Sequence, residues 1–563
     1  MHTASGSKIG KMTRRRLKFE ADKVVAETAK VKHFGDAGSF KFNGCPTRSE
    51  PIFESRAVYL FLLIFLLPTL LLAAPSSLKA LYATLDPTSV AQHFSFYELY
   101  PNSTEGKEAL RHAWALLSQG ESEANPDLRF PTLDIAPLLS LVNRSNEDLP
   151  LLQETQLEAI DRLGQHLGNR KLQGHALWNL EAILSLPPEE IDLARGLLIA
   201  ELGGEEKEKI TSYEASLDLM ALQILARLPP HPTRTEEIRA INDYIFSEMG
   251  FRFPPHSLHA KDIDVYTFLP SVLDSRRGVC LGVSILYLSL AQRLNLPLEA
   301  ITPPGHIFVR HVDATHGEIT NIETTARGLD IPTELYLGIE TKTLQKRNIK
   351  EVIGLAFMNQ AAVSWHRGET KIAVSLYEKG RLFLEDDFLL QLFLGFNYLL
   401  DGREEEGRDL LKKIRGKAPE HVAMSDTIAE DYLAGLTDVD GIDAVFSEVD
   451  ETRESIVRKQ KRLLSVIERC PKFRQGVFHL AVTWLQLGRE KEALPLLERF
   501  ALLDPQNATA RYYLAAICLQ RHHFNQAWTH TTVLEALLKK EGHRPKAFIE
   551  LKKALEQQCP DPL

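Results

Sequence analysis

Apolar residues recur at helical spacing through most of this chain, and the places where that rhythm changes divide it. Residues 57–74, AVYLFLLIFLLPTLLLAA, are apolar on every face and uncharged over eighteen positions. That length sits at the short end of what spans a hydrocarbon core of about 30 Å, and membrane helices tolerate a proline such as Pro68. Residues 1–56 before it show little periodicity and are expected to be disordered. From 76 to 188, "STEGKEALRHAWALLSQ", "LLQETQLEAIDRLGQHLG" and "HALWNLEAILSL" place apolar residues three and four apart, which predicts helices. Ser103-Thr104-Glu105 marks one helix start.

Between 189 and 340 the period changes. "INDYIFSEMGFRF" reads as an amphipathic helix, and "CLGVSILYLSLAQRLN" as a helix of about four turns ended by Asn295. "PLEAITPPGHIFVRH" predicts a strand, a Pro-Pro-Gly turn and a second strand carrying His306. "GEITNIETTARG" predicts a third strand with Glu323 at its end. This region is expected to be an α+β domain.

From 354 to 541 the pattern repeats. Gly368, Gly402 and Gly488 are each followed five residues later by a small residue, Ala373, Gly407 and Ala493. Seven residues before each glycine stand Ala361, Gly395 and Ala481. A fourth unit keeps the phase with Ala515, a turn at His522, and Ala527. "KQKRLLSVIERCPKF" reads as the second helix of a degenerate unit between the second and third. The first two glycines are 34 residues apart, the tetratricopeptide period. Stacked helix pairs of this kind expose a groove that binds a peptide or protein partner. Residues 542–563 are left as a C-terminal tail. The fold class expected is therefore mostly α: an α+β core, then a tetratricopeptide α-solenoid, behind an N-terminal transmembrane or signal-anchor segment.

Charge predicts a topology and argues against some functions. Residues 1–56 hold 12 Lys/Arg against 6 Asp/Glu, whereas residues 75–100 hold one basic residue, Lys79. The positive-inside rule then leaves the N-terminus cytoplasmic and exports the bulk of the chain, to the periplasm in a bacterium. A cleaved signal and a start near residue 55 are the alternatives. The formal charge of -9 argues against a nucleic-acid binder, which needs a basic stripe. No zinc-type spacing of Cys and His and no phosphate-cradling loop occurs, so neither metal nor cofactor is expected. Five scattered cysteines do not form a disulfide framework.

One cysteine stands apart. Cys280 opens the apolar helix after "RRGV", where unpaired N–H groups and the helix dipole favour a thiolate. Arg276 and Arg277 would add to that effect if their side chains turn toward it. His306 on a neighbouring strand is placed to take the thiol proton, and Glu323 on the next to orient the imidazole. Asp313 and Glu318 are acidic alternatives, less well placed. The Cys280 N–H is a natural oxyanion donor. Arg310 shares the face of His306 and is expected in a salt bridge at the core edge. His166, His175, His311 and His316 read as surface or satisfied residues.

The stretches "ARGLLIAEL", "INDYIFSEMGFRF" and "LPSVLDSRRGVCLGVSILYLSLAQRLNLPLEAITPPGHIFVR" together resemble the papain-like transglutaminase superfamily, in particular its SirB-type bacterial branch. The resemblance covers about a quarter of the chain. It implies a thiol nucleophile at Cys280, a base at His306 and an orienting acid at Glu323. Members of that branch often lack the cysteine, which this sequence keeps. Active relatives place Asp where this chain has Glu323, one methylene longer.

Three functions follow. One is thiol-dependent amide hydrolysis or acyl transfer. Another is a non-catalytic scaffold that recruits partners through its repeats. A thiol oxidant sensor is a third. The topology is tested by protease accessibility in intact cells: residues 76–563 should be degraded from outside the membrane, and protection of that region would overturn the assignment.

Overall fold

The computed structural model describes residues 75–118, 152–254, 264–423, 427–450 and 452–560. The basic N-terminus and the apolar segment 57–74 lie outside the described residues. Among the described residues, no helix is long and apolar enough to cross a membrane.

The N-terminal helical region begins with the short helix Pro75–Tyr82, which packs on a hairpin of Val90–Leu99 and Thr104–Leu117. Ser103 starts the second helix as the sequence suggests, its Oγ accepting from Gly106 N at 2.8 Å. The helix Glu154–Gly164 packs on Lys207–Leu225, which carries this region onto the α+β domain.

That domain is built around Cys280–Arg293, a helix buried at every position from Cys280 to Ala291. A helix apolar all round must be enclosed on all sides. Leu193–Leu202, Lys207–Leu225 and Leu269–Ser275 pack around it, with a sheet against the remainder. Gly282 permits the closest approach: a Cβ there would lie 2.4 Å from the Tyr266 carbonyl oxygen.

Four antiparallel strands form the sheet, β1 Glu299–Thr302, β2 Phe308–Val312, β3 Ile319–Ile322 and β4 Gln345–Arg347, in the order β3-β2-β1-β4. The ladder of β1 and β2 ends at Ile301↔Phe308. His306 therefore precedes β2 instead of lying on it. Pro303 and Pro304 have no N–H to give a ladder, and the chain turns there, with His306 N bonded to Pro303 O. The strand β4 was not expected. It pairs Ala300 with Arg347 and extends the domain beyond residue 340.

One residue, Asn348, then joins β4 to the repeats. Its side chain and Glu351 form a capping box that starts the helix Ile349–His366, five residues ahead of the expected boundary. Helix pairs follow: Ile349–His366 with Thr370–Arg381, Phe388–Leu400 with Glu404–Ile414, Arg474–Gln486 with Glu490–Leu503, and Ala508–Gln520 with Phe524–Lys540. The turn residues Gly368, Gly402, Gly488 and His522 all have positive φ, between 61° and 81°, the conformation that favours glycine. Ala361, Ala481 and Ala515 are fully buried where the helices cross. Between the second and third of these pairs, Val439–Phe446 and Arg453–Arg469 pack as an irregular pair. Buried Lys459 donates to the carbonyls of Val445 and Ser447 there, satisfying the helix end. The segment marked as a C-terminal tail contains the helix Lys546–Gln558, which covers the last pair.

A second buried assembly holds the far end of the Cys280 helix. Arg293 donates to Asp218 (2.7 Å), Arg170 reaches the same carboxylate (2.5 Å), and Arg195 grips Glu214 (2.8 and 2.5 Å). Asp192 accepts from His175 and Asn169 and caps Arg195 N. Three arginines thus face three carboxylates, so the buried charges are paired.

Gly282→Ala tests how closely that helix is packed. The added methyl should destabilise the chain by about 1–3 kcal/mol, measured by urea unfolding, with no loss expected if the neighbouring backbone were free to move.

Candidate functional site

Cys280 is the first residue of its helix, with Val279 at the N-cap. The chain reaches it through a sharp turn in which Arg276 adopts φ 51°. Arg252 N bonds to Arg276 O and Gly278 N to Arg252 O, so the "RRG" segment is pinned by backbone pairing. The Arg276 side chain donates to Met249 O, and this contact occupies it away from the purely electrostatic role suggested by the sequence.

The structure brings Cys280, His306 and Glu323 together. His306 Nε2 donates to Glu323 Oε2 at 2.6 Å. With Nε2 committed, the ring's other nitrogen is left for the thiol. Nδ1 is buried, and the Cys280 side chain acts on the same ring both by charge and by hydrogen bonding.

Glu323 is held more tightly than a triad acid requires. Its Oε1 accepts from Thr325 N (3.1 Å) and Thr325 Oγ1 (2.6 Å), and its Oε2 also accepts from Tyr336 Oη (2.8 Å). With His306, that gives four donors for the four lone-pair directions of a carboxylate. The extra methylene of Glu is accommodated because residue 323 directly follows β3 and caps a short turn, Thr324–Ala326. Tyr336 also lies nearly parallel to the His306 ring, 6.1 Å between centroids, and stacks on Phe308 at 4.4 Å. Sequence reasoning missed Tyr336, whose only signal is an aromatic in a loop.

These groups are enclosed: Cys280 is 0 %, Glu323 3 % and His306 6 % exposed. Burial alone would push the imidazole toward its neutral form, but the Glu323 carboxylate and then the Cys280 sulfur outweigh it, and the ring is held up at about 10. Burial likewise opposes the Glu323 charge, yet His306, Thr325 and Tyr336 keep that carboxyl below its usual range. Both partners therefore shift toward a charged pair.

Other sequence candidates lie elsewhere. Asp313 is bonded to the exposed His316 at 2.7 Å in the turn between β2 and β3, and Glu318 is exposed beside it. His311 is half-buried on β2. Arg310 makes no salt bridge among the described residues; it donates to Asn321 Oδ1 (2.8 Å) and Thr333 Oγ1 (3.2 Å). Its β3 neighbour in the register is Asn321, so the nearest acceptor is an amide. His175, Asp192 and Glu214 place ligand atoms within 4.8 Å of one another. Arg195 already chelates Glu214 there, with Arg293 and Arg170 alongside, and that positive charge opposes a metal ion.

Residues 211–354 match the model of the transglutaminase-like superfamily, Transglut_core2. The chain thus combines a transglutaminase-like domain with tetratricopeptide-like helix pairs. No curated protein matches. Similar solved structures include menin with its binding site for the Mixed Lineage Leukemia protein (12% identity, 67% of this chain and 92% of that one, TM-score 0.32). They also include yeast Tom70 (13% identity, 86% and 88%, TM-score 0.22) and the P58(IPK) TPR domain (11% identity, 84% and 99%, TM-score 0.19). At these scores the repeat architecture rests on the chain's own helix pairs.

The buried pair makes a stability prediction. Glu323→Gln strips His306 of its anion and should cost about 3 kcal/mol, as for other buried pairs broken on one side. The His306 contribution is complete below the ordinary histidine value of about 6.5 and is lost as pH rises through the raised one. The Glu323 contribution is present above about 4.3 and is lost as pH falls through the lowered one. The difference between wild type and variant should therefore be largest near pH 5–6 and shrink at alkaline pH. Denaturant unfolding across pH measures it, and a pH-independent difference would contradict the charged pair.

Proposed function

We propose that the transglutaminase-like domain carries a thiol acyl-transfer centre, with the helical repeats as its partner-binding surface. The observation that carries this reading is the placement of His306 between its two partners: Nε2 is bonded to Glu323, and the Cys280 side chain acts on the same buried ring by charge and by hydrogen bonding.

In this reading Cys280 has already passed its proton to Nδ1 in the resting site, and Glu323 stabilises the resulting imidazolium. The sulfur attacks an amide carbonyl, and the Cys280 N–H faces the developing oxyanion. The tetrahedral intermediate collapses to a thioester as His306 returns the proton to the departing amine. Water then releases an acid, making the protein an amidase or peptidase; an amine instead makes it a transglutaminase. Residues 57–74 would tether the centre to a membrane, with the domain on the exported side.

A second reading is favoured by one observation, the complete burial of Cys280. There the domain is a scaffold, and the triad is a folded remnant beneath a recruiting surface.

Alkylation of Cys280 in the full chain separates the two readings, with the modified peptide identified by mass spectrometry. His306→Ala should slow the reaction at neutral pH by at least about a hundred-fold, the scale of a lost general base, and Cys280→Ser should abolish amide turnover. A Cys280 rate indifferent to His306 would favour the scaffold.

A further inference from the structure

The connection from Ile322 at the end of β3 to Gln345 at the start of β4 touches both the triad and the repeats. Its near part lies on the site. Thr324 Oγ1 reaches Cys280 O at 3.5 Å and shares its hydroxyl with Ser284 at 3.1 Å. Tyr336 lies alongside the His306 ring and bonds to Glu323.

The far part docks on the repeats, against connections between helix pairs. His543 Nε2 donates to Gly338 O at 2.8 Å. Glu340 Oε1 accepts from Thr509 N at 3.2 Å, at the N-terminus of Ala508–Gln520. Lys342 Nζ lies 3.4 Å from Glu541, the C-cap of Phe524–Lys540, and 3.9 Å from Glu420. Each charge thus faces the helix end whose dipole it complements.

The charged contacts on the repeats are nevertheless weak. Glu541 and Glu420 are exposed at 42% and 72% of their side chains, and ion pairs of that kind contribute roughly 0–1 kcal/mol. Leu329 and Leu335, on the same connection, leave their apolar side chains in solvent. Only Gly338, Ile339 and Thr341 are buried between 325 and 344. The strands at either end are fixed by their ladders, so this segment can lift without unfolding the sheet.

We infer that residues 333–344 are a releasable cover over the triad, latched to the edge of the repeat array through Gly338, Glu340 and Lys342. A partner that draws that edge away opens the path to Cys280. This couples whatever the repeats bind to the reactivity of the thiol, and it rests on the reading of Cys280 as a nucleophile. The latch also reconciles an intact triad with its burial, since the resting chain is closed.

The test uses the full chain with Glu340→Lys and Lys342→Glu together, which sets each charge against the wrong helix end. Two readouts are taken: amide hydrogen exchange over 336–342, and iodoacetamide alkylation of Cys280 quantified by peptide mass spectrometry. Exchange should accelerate, and alkylation should rise by about five-fold or more, the effect of losing about 1 kcal/mol. If exchange rises while alkylation stays constant, the segment is not the cover. If neither changes in a folded variant, there is no latch. Should the double variant misfold, His543→Ala carries the same test with a smaller expected change in both readouts. Adding His306→Ala to the opened variant separates this inference from the reading beneath it. A thiol then alkylated at an unaltered rate would sink the acyl-transfer reading and leave the latch standing.

Discussion

Everything at the site depends on a carboxylate that has been removed from water and still kept charged. Glu323 could not remain ionised at 3 % exposure without compensation, because desolvating a carboxylate is expensive. Four donors supply that compensation, and the shortest bond among the ring and hydroxyl partners, 2.6 Å, recurs at both His306 and Thr325. The consequence passes outward. A fixed carboxylate fixes the imidazole, and the fixed imidazole leaves one nitrogen for the first residue of the buried helix.

That helix is itself held at two ends by different means. Its N-terminus sits against the triad and the Thr324 turn, and its C-terminus carries Arg293 into the network of Asp218, Asp192 and Glu214. Between them the packing is apolar and close. The charged clusters give orientation and register, since each buried charge admits few partners, whereas burial of the apolar positions supplies the main driving force. The sheet transmits this order to the repeats through β4 and Asn348. The Cys280 cluster and the first helix pair are therefore joined directly through β4 and Asn348.

The repeats were legible because a 34-residue period, turn glycines and small crossing residues are local features that recur in phase. Cys280 and its helix were legible because an apolar run begins directly after a polar turn. The order Cys280, His306, Glu323 was also visible, although His306 lies on the turn before β2, where two prolines delay the ladder. Other features left no such trace. Gln345–Arg347 is too short and too polar to show strand alternation. Arg195 is embedded in an apolar helix and meets Glu214 from nineteen positions away, so nothing near it in sequence announces its partner. Tyr336 and the latch depend on contacts made only after the chain has folded back on itself. The C-terminal helix Lys546–Gln558 was passed over because it follows the last turn signal and does not repeat the motif.

The central claim is that His306 and Cys280 form a proton-sharing pair supported by Glu323. Selective ¹⁵N labelling of the histidine rings reads this directly, with the His306 signals assigned by substitution. In the wild type both ring nitrogens should remain protonated well above the ordinary histidine range, and Cys280→Ser should move that titration down. A His306 ring that is neutral at pH 7, or one whose titration ignores Cys280, would contradict the account.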